Sequence, residues 1–233
     1  MVPSQTELLF DLGLEEQVVG ITKFCVHPQE ARLTKSIIGG TKNLNVEKIR
    51  SLQPDLIIAN KEENELEAIN QLQDEFPVWV SDVKNRSEAI EMIQQIGTLT
   101  DRVLQANQVC NTVQFAFRDL RKRSPDAVLY LIWQNPWMAA GCDTFIHSMV
   151  EEMGWVNVIK TPRYPVLLDK ELPDLNPDLI LLSSEPFPFR EKHVAELQTI
   201  VPGAKVILVD GEMFSWYGSR MVLAPKYFNS LEI

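Results

Sequence analysis

Three groups of residues have the types and spacing that site chemistry requires. Cys25 and His27 stand two apart before Pro28. In an extended Cys25-Val26-His27 segment both side chains share a face, as two ligands of one metal would. Neither an acidic partner nor a second histidine stands at ligand spacing, so the alternative, a buried small thiol beside a loop histidine, is favoured. Gly39-Gly40-Thr41-Lys42-Asn43 has the glycines and lysine of an anion-binding turn without the GxxxxGK[ST] spacing of a nucleotide loop. Glu62, Glu63 and Glu65 cluster, but carboxylates serve acid–base catalysis only where their surroundings shift their pKa values. No GxSxG, HExxH, dinucleotide-binding glycine pattern or kinase signature occurs. The residues point to binding, with no catalytic residue and no catalytic cofactor expected.

The elements that position these residues are written twice. Leu52-Gln53-Pro54-Asp55-Leu56-Ile57-Ile58 returns as Leu175-Asn176-Pro177-Asp178-Leu179-Ile180-Leu181. In each copy Pro-Asp closes a turn and launches a short apolar run, the pattern of a parallel strand buried on both faces. Upstream, Thr6–Gly13 and Thr144–Gly154 both read as helices closed by glycine. Val128–Trp133 is a strand before the second of these helices, whereas only Val2 stands before the first, so a strand is expected to be missing from the front of the chain. Between the copies, Ser87–Gly97 predicts one helix and 101–122 a longer one of roughly 33 Å. The expected fold is therefore α/β: two similar lobes with parallel-type sheets flanked by helices, joined by one long rigid helix. Its divisions fall at 1–86, 87–124 and 125–233.

In open parallel sheets ligands bind beyond the carboxyl ends of the strands. The segments after the predicted strands nominate Ser4, Thr6, His27, Thr41 and Asn60 in the first half. They nominate Trp133, Trp137, Tyr164, Phe187 and Trp216 in the second. Four of the five tryptophans lie in the second half, three of them in predicted loops, where core burial alone would not put them. Aromatic loop residues facing a cleft give a rigid amphipathic contact surface and suit a large chelate better than a bare ion.

A net charge of −10 offers no basic stripe for phosphates, which argues against a nucleic-acid partner. With 45% apolar and 23% charged residues the 233-residue chain has an ordinary globular composition. Cys25, Cys110 and Cys142 form no disulfide framework. The opening Met1–Glu7 has no basic segment followed by an apolar one, so no export signal is read and a cytoplasmic location stays open.

The Pro3-Ser4-x-Thr6-Glu7-Leu8-Leu9 opening, the Leu52-x-Pro54-Asp55-Leu56-Ile57 phrase and the lobe–helix–lobe plan resemble the helical-backbone substrate-binding proteins of ABC importers. The resemblance implies capture of a cobalt or iron chelate (cobalamin, a ferric siderophore or haem) in an inter-lobe cleft by a monomer at the cell envelope or in the periplasm. It also implies delivery to an ABC permease, whose arginines meet exposed glutamates of each lobe. The matching glutamates are Glu65 and Glu67 in the first lobe, beside Glu63, and Glu191 and Glu212 in the second. The competing account is a cytoplasmic corrinoid- or metal-binding protein uncoupled from import.

Overall fold

The computed structural model describes residues 1–233, which divide into two units. The first comprises Met1–Val83, Ser87–Phe115 and Tyr217–Val222, and the second Lys84–Arg86, Ala116–Trp216 and Leu223–Ile233.

The first unit begins with α1 (Pro3–Asp11), β1 (Gly20–Ile21), the single turn α2 (Ala31–Thr34) and β2 (Ser36–Ile37). It continues through α3 (Val46–Leu52), β3 (Ile57–Asn60), α4 (Leu66–Gln73) and β4 (Val78–Ser81). Pro3 suits the first position of α1, where its missing N–H is no loss. β1 pairs with β2 and β3 with β4, both parallel, as two separate two-stranded sheets. Asn45 caps α3 by accepting from Lys48 N at 2.9 Å, and Gln53 ends it in the left-handed region. Ile38, Ile49, Ile57 and Leu72 close one part of the core.

Two helices follow, α5 (Arg86–Leu99) and α6 (Val103–Arg118). α5 runs past Gly97, where the sequence suggested a stop. That glycine serves close packing instead, since a Cβ there would lie 2.4 Å from the Ala106 Cβ. The division between the units falls within α6, after Phe115. α6 is also shorter than the expected 101–122. Asn229 takes over the helix-end groups, donating to Asp119 O and accepting from Arg121 N. Pro125 then disfavours helix at Ser124. At 16 residues the helix measures roughly 24 Å.

The second unit holds β5 (Ala127–Trp133), β6 (Trp137–Ala139), α7 (Phe145–Glu152), β7 (Val156–Asn157) and β8 (Val166–Leu167). After these come β9 (Leu179–Ser183), α8 (Glu191–Ile200), β10 (Lys205–Val209), α9 (Gly211–Ser215) and α10 (Ala224–Ser230). They form one six-stranded sheet in the order β10-β9-β5-β6-β8, with β7 also on β5. The sheet is mixed, not wholly parallel. Only Gln134–Pro136 separate β5 from β6, too short a link for a crossover, so the chain returns antiparallel and β8 pairs antiparallel in turn. Asn176 repeats the left-handed stop of Gln53, and Gly154 repeats that of Gly13, so the sequence repeat is a structural one. Leu129, Leu131, Ile180, Leu182 and Leu197 lie at the centre of the core.

Thr144 caps α7 by accepting from His147 N at 3.2 Å. Thr144→Ala is expected to cost about 1 kcal/mol in chemical denaturation, and a cost near zero would show that the cap is replaceable. No helix is long and apolar enough to cross a membrane.

Candidate functional site

In the second unit the carboxyl ends of β5 and β9 carry a graded aromatic cluster. Trp133 is 40% exposed and its ring meets Phe187 edge-on at 5.5 Å. Phe187, half-buried, touches Phe189 and His193 at 4.8 and 5.3 Å between centroids. Phe189 stacks on Trp137 in the interior. Of the nominated rings, Trp133, Phe187 and the half-buried Tyr164 reach the surface. Trp137 does not: it is 4% exposed and donates Nε1 to Asp169 Oδ1 at 2.7 Å, which makes it a core residue. Trp216 is likewise buried, donating Nε1 to Glu185 Oε1 at 2.9 Å.

Glu185 was not among the nominated residues, yet it organises this end of the sheet. Ser215 Oγ also donates to its Oε1, and Ser183 Oγ, which accepts from Tyr130 OH, donates to its carbonyl. Burial raises the Glu185 carboxyl above its ordinary range, opposed by the bonds from Ser215 and Trp216. The sequence signal was a lone carboxylate between a buried strand and an aromatic loop.

In the first unit the nominated polar groups are largely committed to the fold. Ser4 and Thr6 are buried on α1, and Thr6 Oγ1 donates to Val2 O. Cys25 is fully buried with its sulfur 3.2 and 3.3 Å from the hydroxyls of Thr6 and Thr22. His27 is half-buried, and nowhere do three His, Cys, Asp or Glu side chains gather as a metal-holding set. Cys25 is thus a thiol sealed by two hydroxyls, not half of an open metal site. Asn60 donates to Ser81 and accepts from Glu62 N and Glu63 N, so it shapes the loop after β3 and leaves no capacity for a ligand. The glycine turn is closed in the same way. Gly40 N donates to Asn43 O, Lys42 Nζ to Glu62 O, and the buried Thr41 offers its carbonyl to Asn64. Gln5 departs from this pattern: its Nε2 donates to Ser81 Oγ at 2.6 Å while its buried Oε1 has no partner.

A family model described as periplasmic binding protein matches residues 2–199. The chain belongs to this family. Among relatives, an uncharacterized ABC transporter substrate-binding lipoprotein of Bacillus subtilis, YvrC, is 28% identical over 78% of this chain. The match spans 61% of that relative's length, less than two thirds. The vitamin B12-binding protein of Pectobacterium carotovorum is 23% identical over 97% of this chain and 84% of its own. The periplasmic heme-binding protein RhuT from Roseiflexus superposes with a TM-score of 0.81 at 21% identity, covering 95% of this chain and 92% of that one. That likeness shows the fold alone.

The four nominated docking glutamates share a local role. Glu65 is the N-cap of α4, and Glu67, Glu191 and Glu212 lie in the first turns of α4, α8 and α9. Negative side chains there favour the helix dipole whether or not a partner meets them. Glu65, Glu67 and Glu191 are exposed and Glu212 is half-buried.

The buried Glu185 gives the chain a pH signature. A carboxyl with a raised pKa binds its proton more tightly in the folded than in the unfolded chain, so stability falls as pH rises through the folded-state value. Glu185→Gln keeps an acceptor and removes the charge. It is expected to raise the melting midpoint at pH 7, an advantage that fades as pH falls below about 4 and the wild-type carboxyl becomes neutral in both states. A lower midpoint at pH 7 in circular-dichroism melts would contradict this account.

Proposed function

We propose that this chain is the substrate-binding protein of an ABC importer and captures a metal chelate: cobalamin or another corrinoid, a ferric siderophore or haem. The observation that carries the reading is the half-open aromatic face at the carboxyl ends of β5 and β9, where Trp133 stands exposed on Phe187. Broad flat aromatic surface with few fixed charges suits a large chelate, and a bare ion would need a converging ligand set. Family membership and a relative named for vitamin B12 binding support the same class.

In this reading Trp133, Phe187 and Tyr164, all in the second unit, contact the chelate. Glu65, Glu67 and Glu191 are offered to the arginines of a permease, with Glu212 contributing less for being half-buried. The protein binds and releases without chemistry, works as a monomer, and resides in the periplasm or at the cell envelope. Melting followed by circular dichroism tests it. A cognate chelate at a hundred times its Kd stabilises by about 2.7 kcal/mol, raising the midpoint by roughly 5–10 °C. Cobalamin, haem and ferric siderophores all leaving the midpoint unmoved would count against the reading.

A further inference from the structure

The loop from Ser184 to Arg190 joins β9 to α8 and carries Phe187, which meets the exposed Trp133 edge-on. Its start is tied down twice. Ser184 N donates to Val209 O and Ser184 Oγ accepts from Gly211 N, both at 2.9 Å, and Glu185 is held by Ser215 and Trp216. At the far end Arg190 N donates to His193 Nδ1 at 2.8 Å, and His193 N donates back to Arg190 O at 2.8 Å. His193 stands third in α8, where a Glu or Gln side chain ordinarily reaches back to the N-cap N–H.

His193 does more than cap. It is 3% exposed, and its ring meets Phe187 at 5.3 Å and Phe189 at 5.4 Å between centroids, both edge-on. Phe189 is itself fixed by stacking on Trp137. Further along α8, Glu196 Oε2 accepts from Gln134 Nε2 at 2.7 Å, which ties the residue after Trp133 to the same helix. The start of α8 therefore reaches both rings of the exposed face, Phe187 by packing and Trp133 through its neighbour. A loop left free would lose conformational freedom when a ligand settled on it, and that loss would subtract from affinity.

We propose that His193 is a positioning residue of the aromatic face: it anchors the Ser184–Arg190 loop and holds Phe187 edge-on to Trp133 before any ligand arrives. The proposal rests on the chelate-binding reading for its ligand, and on His193 itself for its geometry. His193→Phe keeps an aromatic ring against Phe187 and Phe189 and removes the acceptor for Arg190 N. His193→Gln returns an acceptor of the capping-box kind. Parent and folded variants are titrated with cobalamin, haem and a ferric hydroxamate. The Trp133 indole N–H resonance and amide exchange at Arg190 are followed without ligand. His193→Phe is expected to bind the parent's chelate about tenfold more weakly, to shift the Trp133 resonance, and to speed exchange at Arg190 by at least about tenfold. His193→Gln is expected to bring affinity back to within about threefold of the parent and to slow exchange at Arg190 again. Affinity and a Trp133 resonance unchanged in His193→Phe, with only the melting midpoint lowered, would overturn the proposal and leave the chelate reading intact. So would a loss of affinity that His193→Gln does not recover. If none of the three probes binds the parent, the chelate reading fails, and the Trp133 resonance and Arg190 exchange still settle whether His193 holds the loop.

Discussion

Trp216→Ala is expected to destabilise the second unit by about 3–5 kcal/mol, the range for deleting a large buried ring. Trp216 is 7% exposed, and its Nε1 donates one of the two side-chain bonds that hold the Glu185 carboxylate. Removing the ring leaves a cavity and a buried carboxylate with only Ser215 as side-chain donor, and both effects act in the same direction. Urea denaturation measures the loss. Trp216→Phe separates the two causes, since it restores most of the packing and none of the hydrogen bond. A Trp216→Ala chain as stable as the parent would mean that Glu185 and its neighbours rearrange freely, contrary to the network described.

Trp133→Ala is expected to do the reverse, lowering affinity for the bound chelate by about 10- to 30-fold while changing stability by less than about 1 kcal/mol. The residue ends β5, stands 40% exposed and rests on Phe187 by one edge, so its ring contributes little to the core and much to any surface laid against it. Phe187→Ala then weakens binding too, because Trp133 loses the ring that orients it. Calorimetric titration of each variant with the chelate that binds the parent provides the comparison. Unchanged affinity in both would remove this face from the site.

The contrast between these two tryptophans marks how far the sequence could be read. Both were nominated from the ends of, or segments after, predicted strands, and composition offers no means of separating an exposed ring from one that donates to a buried carboxylate. Tertiary packing decides that, through Glu185 for Trp216 and Asp169 for Trp137. The repeated Pro-Asp phrases were legible because they combine two local effects, a left-handed helix stop at Gln53 or Asn176 and an apolar strand after it. The antiparallel return of β6 was hidden because Gln134-Asn135-Pro136 carries none of the glycine turn signals of a tight hairpin. In the first unit, Asn60 and Cys25 looked like site residues by type. Their hydrogen bonds turn them inward to Ser81, Thr6 and Thr22, and the first two of these partners are distant in sequence.

The central claim is that this protein holds a metal chelate against the Trp133 face, and tryptophan-fluorescence titration tests it most directly. The purified chain is titrated with cobalamin, haem and several ferric siderophores, corrected for their absorption, with free Zn²⁺ and Mn²⁺ alongside. The account predicts saturable one-to-one quenching by one chelate class, much reduced in Trp133→Ala, and no saturable response to the free ions. Saturation by a free ion alone, or no saturable binding by any chelate to a folded chain, would contradict it.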